Sequence, residues 1–409
     1  MSVLRRLLAR RGDRPVFVAV ALLASLVLFV HPAVDHYLRL AGIAPRFGFW
    51  DFGAYSNAVG RWRAGESFYV QSDGGGYHGS YLYPPVVLLA FAPFVLAFPF
   101  ATAAPTWAVC TVLVLWVAIQ RLASALGCRL HPVERLLSLP VVAGFQPLLL
   151  SVKMGQTAGL LGALLAFAAA TSLRGRGYAS GVFTGVCGVI KLPYAPAGTH
   201  LLADRRRFAG AVGGGVVLLV CSVLVFGIGA HLTYLEVLEW GVRMGSDARS
   251  PRLWLPPYYR PLYGVPYSLA LRLLASLAVV GLALRAADDG DAVRETTALG
   301  FAAVPLLAPL AYAYYFVAAV PAVVLLVAAE LDRPEGSPTL PVVGLLLFHA
   351  HSYGLRTAVK LAPEWVPAGP LQPGLWGNLL LVGLAALRVA QAGAGSPLSL
   401  RRAVTTGRE

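Results

Sequence analysis

Long uninterrupted apolar runs are the feature that most constrains this chain. Hydrophobic residues make up 57% of its 409 residues, and charged residues only 13%. A soluble domain of this length with so little charge would not stay soluble, so the composition indicates a polytopic membrane protein. Lipid offers backbone groups no hydrogen-bond partners, so spanning segments form helices or a closed barrel. The apolar runs are continuous rather than alternating, which favours helices.

Runs of about 20 apolar residues, the length that crosses a bilayer, predict ten to twelve membrane-spanning helices. The candidate spans are residues 15–34, 84–101, 105–126, 136–152, 157–173, 178–202, 208–230, 266–286, 297–312, 314–330, 339–358 and 374–392. The first is interpreted as an uncleaved helix that follows a cytoplasmic N-terminus.

A count of twelve spans places the charged loops on the side of the N-terminus, as the positive-inside rule favours. These segments are ADRRRFAG, RAADDGDAVRE, ELDRPEGSP and the tail RRAVTTGRE. The segment LRGRGY, residues 173–178, would then lie outside, against the rule. A re-entrant segment between residues 136 and 173 would remove the conflict, and we leave this alternative open.

The net charge of +14 does not indicate a nucleic-acid partner, because the arginines lie mostly in short loops between apolar runs. The four cysteines match no metal-binding spacing and are interpreted as packing residues. The acidic run Asp288–Asp291 falls in a short loop and is interpreted as a solvated turn. We therefore predict neither a metal nor a cofactor.

The whole chain, residues 1–409, is predicted to form a single integral-membrane domain with two long extracytoplasmic loops, residues 35–83 and 231–265. Long loops on one face of a bundle commonly carry function. In the second loop arginines alternate with aromatic residues, a pattern that suits phosphate binding or anchoring at the lipid headgroups. The residues concerned are Arg243, Arg249, Arg252, Trp254, Tyr258, Tyr259 and Arg260.

The first loop contains an acidic residue among aromatic residues. Asp51 is a good helix N-cap, and the following segment predicts a helix that ends at Gly65. Its apolar residues recur at helical spacing, so the helix is expected to rest in the membrane interface. They are Phe52, Tyr55, Val59 and Trp62. Asp51 is interpreted as a cap, as a base acting on a hydroxyl, or as both; Asp35 is an alternative base.

Several other polar residues lie in apolar surroundings. A charge within a span costs about 2.5–3.5 kcal/mol on insertion scales, so Lys191 is expected to face a cavity or a lipid phosphate. Snorkelling to the interface, helped by the helix break at Pro193, is the alternative. Lys153 and Gln156 admit the same two interpretations.

Three segments together resemble glycosyltransferase family 87. The first is DFGAYSNAVGRWRAGESFY followed by YLYPPVVLLAFAPF, similar to the family's first outside loop and second span. The second is VKMGQTAGLLGALLAFAAA, similar to its Gly-Gln segment and apolar helix. The third is GVFTGVCGVIKLPYAP, similar to its Gly-rich helix that ends in Lys and Pro. They occur in the family's order, within about residues 15–320.

The resemblance implies an all-α polytopic bundle of the GT-C type that acts as an inverting glycosyltransferase. It would move a hexose, with mannose as the family-level expectation, from a polyprenyl-phosphate donor to a lipid or glycan acceptor on the extracytoplasmic face. Asp51 matches the position of the family's catalytic acidic residue and would, as a carboxylate, deprotonate the acceptor hydroxyl. Candidate ligands for the donor's phosphate and lipid are Lys191, Tyr314, Arg260, Lys153 and Gln156. Candidate substrate-binding residues are Tyr55, Tyr81 and Tyr83.

Two departures from the family pattern leave alternatives open. Tyr314 stands where the family commonly has a histidine; it can hydrogen-bond a phosphate but carries no positive charge. Only Ser268 and Leu269 remain of an Asn-Gln-Ser-Leu segment. A transporter or lipid flippase, or a non-catalytic lipid-binding relative, therefore remains a competing interpretation.

Overall fold

The computed structural model describes residues 3–73, 75–244, 258–286, 292–308, 311–363, 365–367 and 369–392. Helices dominate these residues. The α-helices are α1 Val3–Ala9, α2 Pro15–Leu40, α3 Trp50–Arg63, α4 Leu88–Ala97, α5 Phe100–Ala125, α6 Pro132–Ala143, α7 Gln146–Met154, α8 Ala158–Leu173, α9 Gly177–Ile190, α10 Arg205–Met244, α11 Ser268–Arg285, α12 Val293–Leu307, α13 Val320–Leu331, α14 Thr339–Leu361 and α15 Pro373–Ala392. Short 3-10 helices cover Pro85–Val87, Leu192–Leu201 and Ala313–Ala319. Two strands, β1 Tyr258–Tyr259 and β2 Ala311–Tyr312, pair antiparallel.

Six helices within the described ranges are long and apolar enough to cross a membrane. They are Pro15–Leu40, Phe100–Ala125, Arg205–Gly241, Ser268–Arg285, Ala313–Leu331 and Pro373–Ala392. The bent pair α6 and α7 makes a seventh if it is one span, and four shorter apolar helices accompany them. Every candidate span overlaps a helix, which confirms the prediction of an all-α polytopic membrane protein.

The candidate span 136–152 is broken. Helices α6 and α7 meet at an angle of 68° around Gly144 and Phe145. Pro147 lies in the first turn of α7, where its missing N–H costs no hydrogen bond. This geometry fits the re-entrant alternative, which would also resolve the placement of the arginines at 174 and 176.

Helices α8 and α12 lie at the centre of the hydrophobic core. Helix α12 is buried over almost its whole length, and α8 is rich in buried alanine and glycine that let its neighbours approach closely. Helices α10 and α11 lie outside, with few buried residues. Large apolar side chains such as Leu224 and Ile228 remain exposed there, as expected of a lipid-facing surface.

Several predicted cytoplasmic segments meet on one side of the bundle. Arg14, beside the N-terminal helix, donates to the carbonyls of Arg333 (2.6 Å) and Gly336 (2.6 Å) in the loop after α13. Arg388 near the end of α15 donates to the fully buried Glu330 at 2.6 Å, and Arg333 donates to Glu295 at the start of α12 at 2.9 Å. These contacts bring the N-terminal segment, the loop after α13 and the start of α12 together, as predicted. The placement of ADRRRFAG on the same side, and the identity of that side as cytoplasmic, stay predictions, and the tail lies outside the described residues.

The second long loop is shorter than predicted, because α10 continues to Met244. The helix is kinked at Gly227, whose φ of 73° and ψ of 166° are not helical. Across this break His231 donates from Nδ1 to the Gly227 carbonyl at 2.8 Å, and its Nε2 forms a hydrogen bond of 2.8 Å with the Ser222 hydroxyl. Arg249, Arg252 and Trp254, the side chain of Arg243 and the acidic run 288–291 lie outside the described residues.

Candidate active site

Helix α3 presents Asp51 differently from the prediction. The helix begins at Trp50, and its N-cap is Phe49, which has a left-handed backbone with φ of 47°. Asp51 lies in the first turn and makes no capping hydrogen bond. Its interpretation as the N-cap is therefore wrong, and the carboxylate is left for a tertiary contact. The predicted end of the helix is confirmed, because Gly65 follows α3 with φ of 75°.

The apolar face of α3 packs on protein instead of resting on lipid. Phe52 is fully buried, with its ring 6.2 Å from Phe91 and 6.4 Å from Trp107, centroid to centroid. Tyr55 stacks on Phe91 at 4.2 Å. Full burial of one such side chain contributes about 1.5–3 kcal/mol, so these contacts fix the helix on α4 and α5. The predicted membrane-resting face is wrong because helical spacing does not distinguish lipid from neighbouring helices.

A hydrogen-bonded chain begins at the Asp51 carboxylate. Gln156, just after α7, donates from Nε2 to Asp51 Oδ2 at 2.9 Å. Tyr83 donates to Gln156 Oε1 at 2.8 Å and contacts the Thr157 hydroxyl at 3.1 Å. Tyr55 donates to the Tyr83 hydroxyl at 3.4 Å. Among the described residues Asp51 Oδ1 accepts no hydrogen bond, so one carboxylate oxygen is available to a ligand.

Lys191 joins the other end of this chain. It lies just after α9, where the helix breaks before Pro193, and donates to the Tyr83 hydroxyl at 3.3 Å. Its ammonium lies 4.8 Å from the ring centroid of Tyr315, 5.1 Å from Tyr314 and 5.4 Å from Tyr83. These distances permit cation–π attraction. No carboxylate within the described ranges forms an ion pair with Lys191, so its charge is available to an anionic ligand.

Arg260 approaches the same aromatic group from the second loop. Its guanidinium lies 5.1 Å from the ring centroid of Tyr258 and 5.7 Å from Tyr312. Tyr312 stacks on Tyr314 at 5.2 Å, with an angle of 11° between the rings. The backbone of Arg260 is held by Gln372, whose side chain accepts from its N–H at 2.8 Å and donates to its carbonyl at 2.7 Å. A stack of tyrosines thus has a cation at either end.

Three candidate residues have structural partners instead. Lys153 is buried and forms an ion pair with the equally buried Asp35, which also accepts from Arg39. Since its charge is neutralised, Lys153 is not an available phosphate ligand, and Asp35 is not an available base. Tyr81 is 1% exposed and donates to the Pro84 carbonyl at 2.8 Å, so it packs beneath the site.

Three residues around Lys191 and Tyr83 were not assigned a role from the sequence. Tyr315 contributes the nearest ring to the Lys191 ammonium, and Thr157 contacts the Tyr83 hydroxyl. Tyr194 packs against Tyr315 at 5.3 Å, and its buried hydroxyl has no hydrogen-bond partner in the described part of the chain. For the two tyrosines, the sequence signal was their closeness to candidate residues: Tyr194 follows Lys191 in KLPYAP, and Tyr315 follows Tyr314 in AYAYYF.

The electrostatic surroundings suit Asp51 to proton transfer. Burial raises the pKa of Asp51 above its ordinary value of 3.8, while the Gln156 hydrogen bond and the charge of Lys191 lower it by less. A carboxylate with a raised pKa is a stronger base than an exposed one. Burial also holds the pKa of Tyr55 well above its usual value, so that phenol stays neutral. The arrangement places one carboxylate and two cations around the same group of tyrosines.

The chain is similar to known glycosyltransferases. Residues 81–309, more than half of the chain, match the model of glycosyltransferase family 87. A Mycobacterium tuberculosis (strain CDC 1551 / Oshkosh) protein is 29% identical over 269 residues, which are 64% of this chain and 61% of that protein. It is described as a polyprenol-phosphate-mannose-dependent alpha-(1-2)-phosphatidylinositol pentamannoside mannosyltransferase. The match thus spans less than two thirds of that relative. No solved structure matches the chain.

The family match does not cover the whole site. It includes Tyr83, Gln156, Lys191 and Arg260, whereas Asp51 and Tyr314 lie outside residues 81–309. Their assignment rests on the contacts described above and on the sequence pattern.

Proposed function

Since the chain belongs to glycosyltransferase family 87, we propose that it transfers a hexose from a polyprenyl-phosphate donor to a lipid or glycan acceptor. We propose mannose as the sugar, because the relative from Mycobacterium tuberculosis is described as using polyprenol-phosphate-mannose. The first and second long loops, which carry Asp51 and Arg260, would face away from the cytoplasm. The donor is a substrate, and the proposal includes no cofactor.

The proposed reaction is a single displacement at the anomeric carbon. Asp51 Oδ1 accepts the proton of the acceptor hydroxyl as that oxygen forms a bond to the anomeric carbon. The bond between this carbon and the phosphate oxygen breaks on the opposite face, so the configuration inverts and polyprenyl phosphate leaves with the electron pair. General-base assistance of this kind contributes about 10²–10⁴-fold to a rate.

Lys191 and Arg260 are proposed to neutralise the departing phosphate. A fixed positive charge where negative charge develops stabilises the transition state, most strongly in a site shielded from water. The tyrosines give both cations rigid, uncharged surroundings, and their hydroxyl groups can donate to phosphate oxygens. Tyr314 would then act as a donor, with the charge of the family's usual histidine supplied by its neighbours.

One observation carries the proposal: a carboxylate with a free oxygen is joined through Gln156 and Tyr83 to a lysine without a carboxylate partner among the described residues. A buried charge without a compensating partner is costly, and Asp51 and Lys191 do not compensate each other through a direct contact. Their separation by two neutral side chains leaves each charge for a different part of a reacting molecule.

Lys191→Gln is expected to raise the apparent KM for the polyprenyl-phosphate donor by at least tenfold, because the phosphate loses a charge-assisted contact. Initial rates against donor concentration measure this effect. Lys360→Gln, at an exposed lysine near the end of α14, is the matched control and should leave the KM unchanged. An unchanged donor KM in Lys191→Gln would remove Lys191 from the phosphate site.

The acid limb of the pH profile of kcat/KM should reflect the protonation of Asp51. The base acts only when deprotonated, so kcat/KM should rise with pH through the raised pKa of Asp51. Because the Gln156 hydrogen bond lowers that pKa, Gln156→Leu should shift the acid limb to higher pH. The pH profiles of the wild type and of Gln156→Leu, measured in overlapping buffers, test this prediction. An acid limb that stays in place or shifts to lower pH would contradict the assignment of Asp51.

A transporter or flippase is the second candidate function. A transporter is expected to place its polar residues in a midplane cavity between repeated halves. Here they converge instead where α3 and the first long loop meet the segments just after α7 and α9, residues 258–260 and residues 312–315. This convergence favours transfer over transport.

A further inference from the structure

Three polar side chains near the C-terminal end of the described chain are fully buried. His351 lies in α14, Gln372 directly precedes α15, and Asn378 lies in α15; each is 0% exposed. All three follow residue 309, where the family match ends. A buried polar group in a membrane protein is costly, so such residues commonly serve function. No step of the proposed reaction gives them a role.

Gln372 binds the backbone of Arg260 as a neighbouring β-strand would. Its Oε1 accepts from the Arg260 N–H at 2.8 Å, and its Nε2 donates to the Arg260 carbonyl at 2.7 Å. The preceding residue, Tyr259, pairs with Ala311 of β2, whose carbonyl accepts from the Arg260 guanidinium at 3.3 Å. Arg260 is thus held by β2 through its guanidinium and by Gln372 through its backbone.

His351 holds the residue two positions before Arg260. The Gly374 N–H donates to its Nδ1 at 3.2 Å, so this ring nitrogen carries no proton. The proton therefore lies on Nε2, which donates to the Tyr258 carbonyl at 3.0 Å. A Cβ at position 374 would lie 2.9 Å from Nδ1, so the glycine permits this close approach. The histidine thus links α14, α15 and β1 through both of its ring nitrogens.

Asn378 holds the residue between these two. Its Oδ1 accepts from the Tyr259 hydroxyl at 3.2 Å, and its Nδ2 donates to the Ala302 carbonyl of α12 at 2.6 Å. Tyr259 is itself fully buried, with its ring 4.7 Å from that of Phe316. Because α12 is buried over almost its whole length, this contact ties β1 to the core of the bundle.

We propose that His351, Gln372 and Asn378 are positioning residues that hold Arg260 where the donor phosphate binds. Each side chain bonds a different residue of the segment 258–260, so displacement of that segment would remove a hydrogen bond from all three buried groups at once. A cation held in place stabilises developing negative charge without having to reorganise. The inference rests on the proposed function of Arg260 and adds that the C-terminal helices set its position.

Gln372→Met tests this inference, because methionine keeps the length of the side chain and removes its amide. The Kd of the purified protein for radiolabelled polyprenyl phosphate, measured by scintillation proximity, should rise about tenfold, because a displacement of about 1 Å can cost up to 10²-fold. Gln146→Met is the matched control. Gln146 is also buried, but its side chain bonds His31 at 2.8 Å, so this variant should leave the Kd unchanged.

A double-mutant cycle with Arg260→Gln separates positioning from a general loss of structure. If Gln372 acts through Arg260, Gln372→Met should weaken polyprenyl phosphate binding no further in the Arg260→Gln protein. Tyr259→Phe, which removes only the hydroxyl that binds Asn378, is a milder second variant and should show the same dependence on Arg260. Equal weakening of binding in both backgrounds would mark a merely structural role and overturn the inference.

Hydrogen exchange measures the position of the segment directly. The Arg260 amide hydrogen should exchange faster in Gln372→Met than in the wild type or in Gln146→Met, because its acceptor is gone. Unchanged exchange would overturn the inference, and so would a wild-type protein that does not bind polyprenyl phosphate. Neither measurement needs turnover, so a failure to observe sugar transfer would count against the proposed reaction alone.

Discussion

Asp51→Asn is expected to lower kcat for sugar transfer by about 10²–10⁴-fold, the usual contribution of a general base. The amide keeps the size of the side chain and can still accept from Gln156, but it has no basicity to remove the acceptor proton. The donor KM should stay near the wild-type value, because the phosphate contacts of Lys191 and Arg260 remain. Single-turnover rates with saturating donor measure the loss.

The control for this variant is Asp73→Asn, an exposed carboxylate in the same loop, which should retain full activity. Both proteins should elute as folded material in detergent and unfold at the wild-type temperature. Asp51→Ala should behave as Asp51→Asn does. Full activity in either Asp51 variant would remove Asp51 as the base and leave the site with a binding role alone.

Asp35→Leu is expected to cause the largest loss of stability. The ion pair of Asp35 and Lys153 is buried, with both side chains at most 3% exposed. Removing one partner of such a pair typically costs about 3–5 kcal/mol, because the other charge stays buried without compensation. The Tm of the purified protein should fall by several degrees, and activity should fall with it, because the Lys153 carbonyl accepts from the Phe49 N–H at the start of α3.

The double variant Asp35→Leu/Lys153→Met separates charge compensation from packing. Replacing both charges by apolar groups of similar volume removes the uncompensated ammonium, so most of the lost stability should return. Thermal unfolding of the single and double variants forms a double-mutant cycle. If the stability loss of the double variant equals the sum of the losses of the two single variants, the broken ion pair is not the cause of the instability.

The class of the protein and the placement of its helices could be predicted from the sequence, because the thickness of the bilayer sets the length of the apolar runs. Each candidate span overlaps a helix, and the helix after Asp51 ends at Gly65 as predicted. The break between α6 and α7 was foreseen only as an alternative, because a proline and a glycine mark a bend without fixing its angle.

The roles of the individual charged residues could not be predicted from the sequence, because they depend on partners that are distant along the chain. The pattern around Asp51 is equally good for a cap and for a base. The cap is excluded by the start of α3 at Trp50, and the partner of the carboxylate is Gln156, 105 residues away along the chain. Lys153 and Lys191 look alike in sequence, as single lysines in apolar runs. One has Asp35 as its partner and the other has tyrosines, and neither partner is close in sequence.

The most direct test of the central claim is a transfer assay with purified protein, radiolabelled polyprenyl-phosphate mannose and a membrane lipid extract. The account predicts that label moves from the donor into a lipid or glycan product, and that Asp51→Asn stops this transfer. Radiolabel that stays entirely in the donor, with polyprenyl-phosphate glucose and galactose tested alongside mannose, would contradict the account.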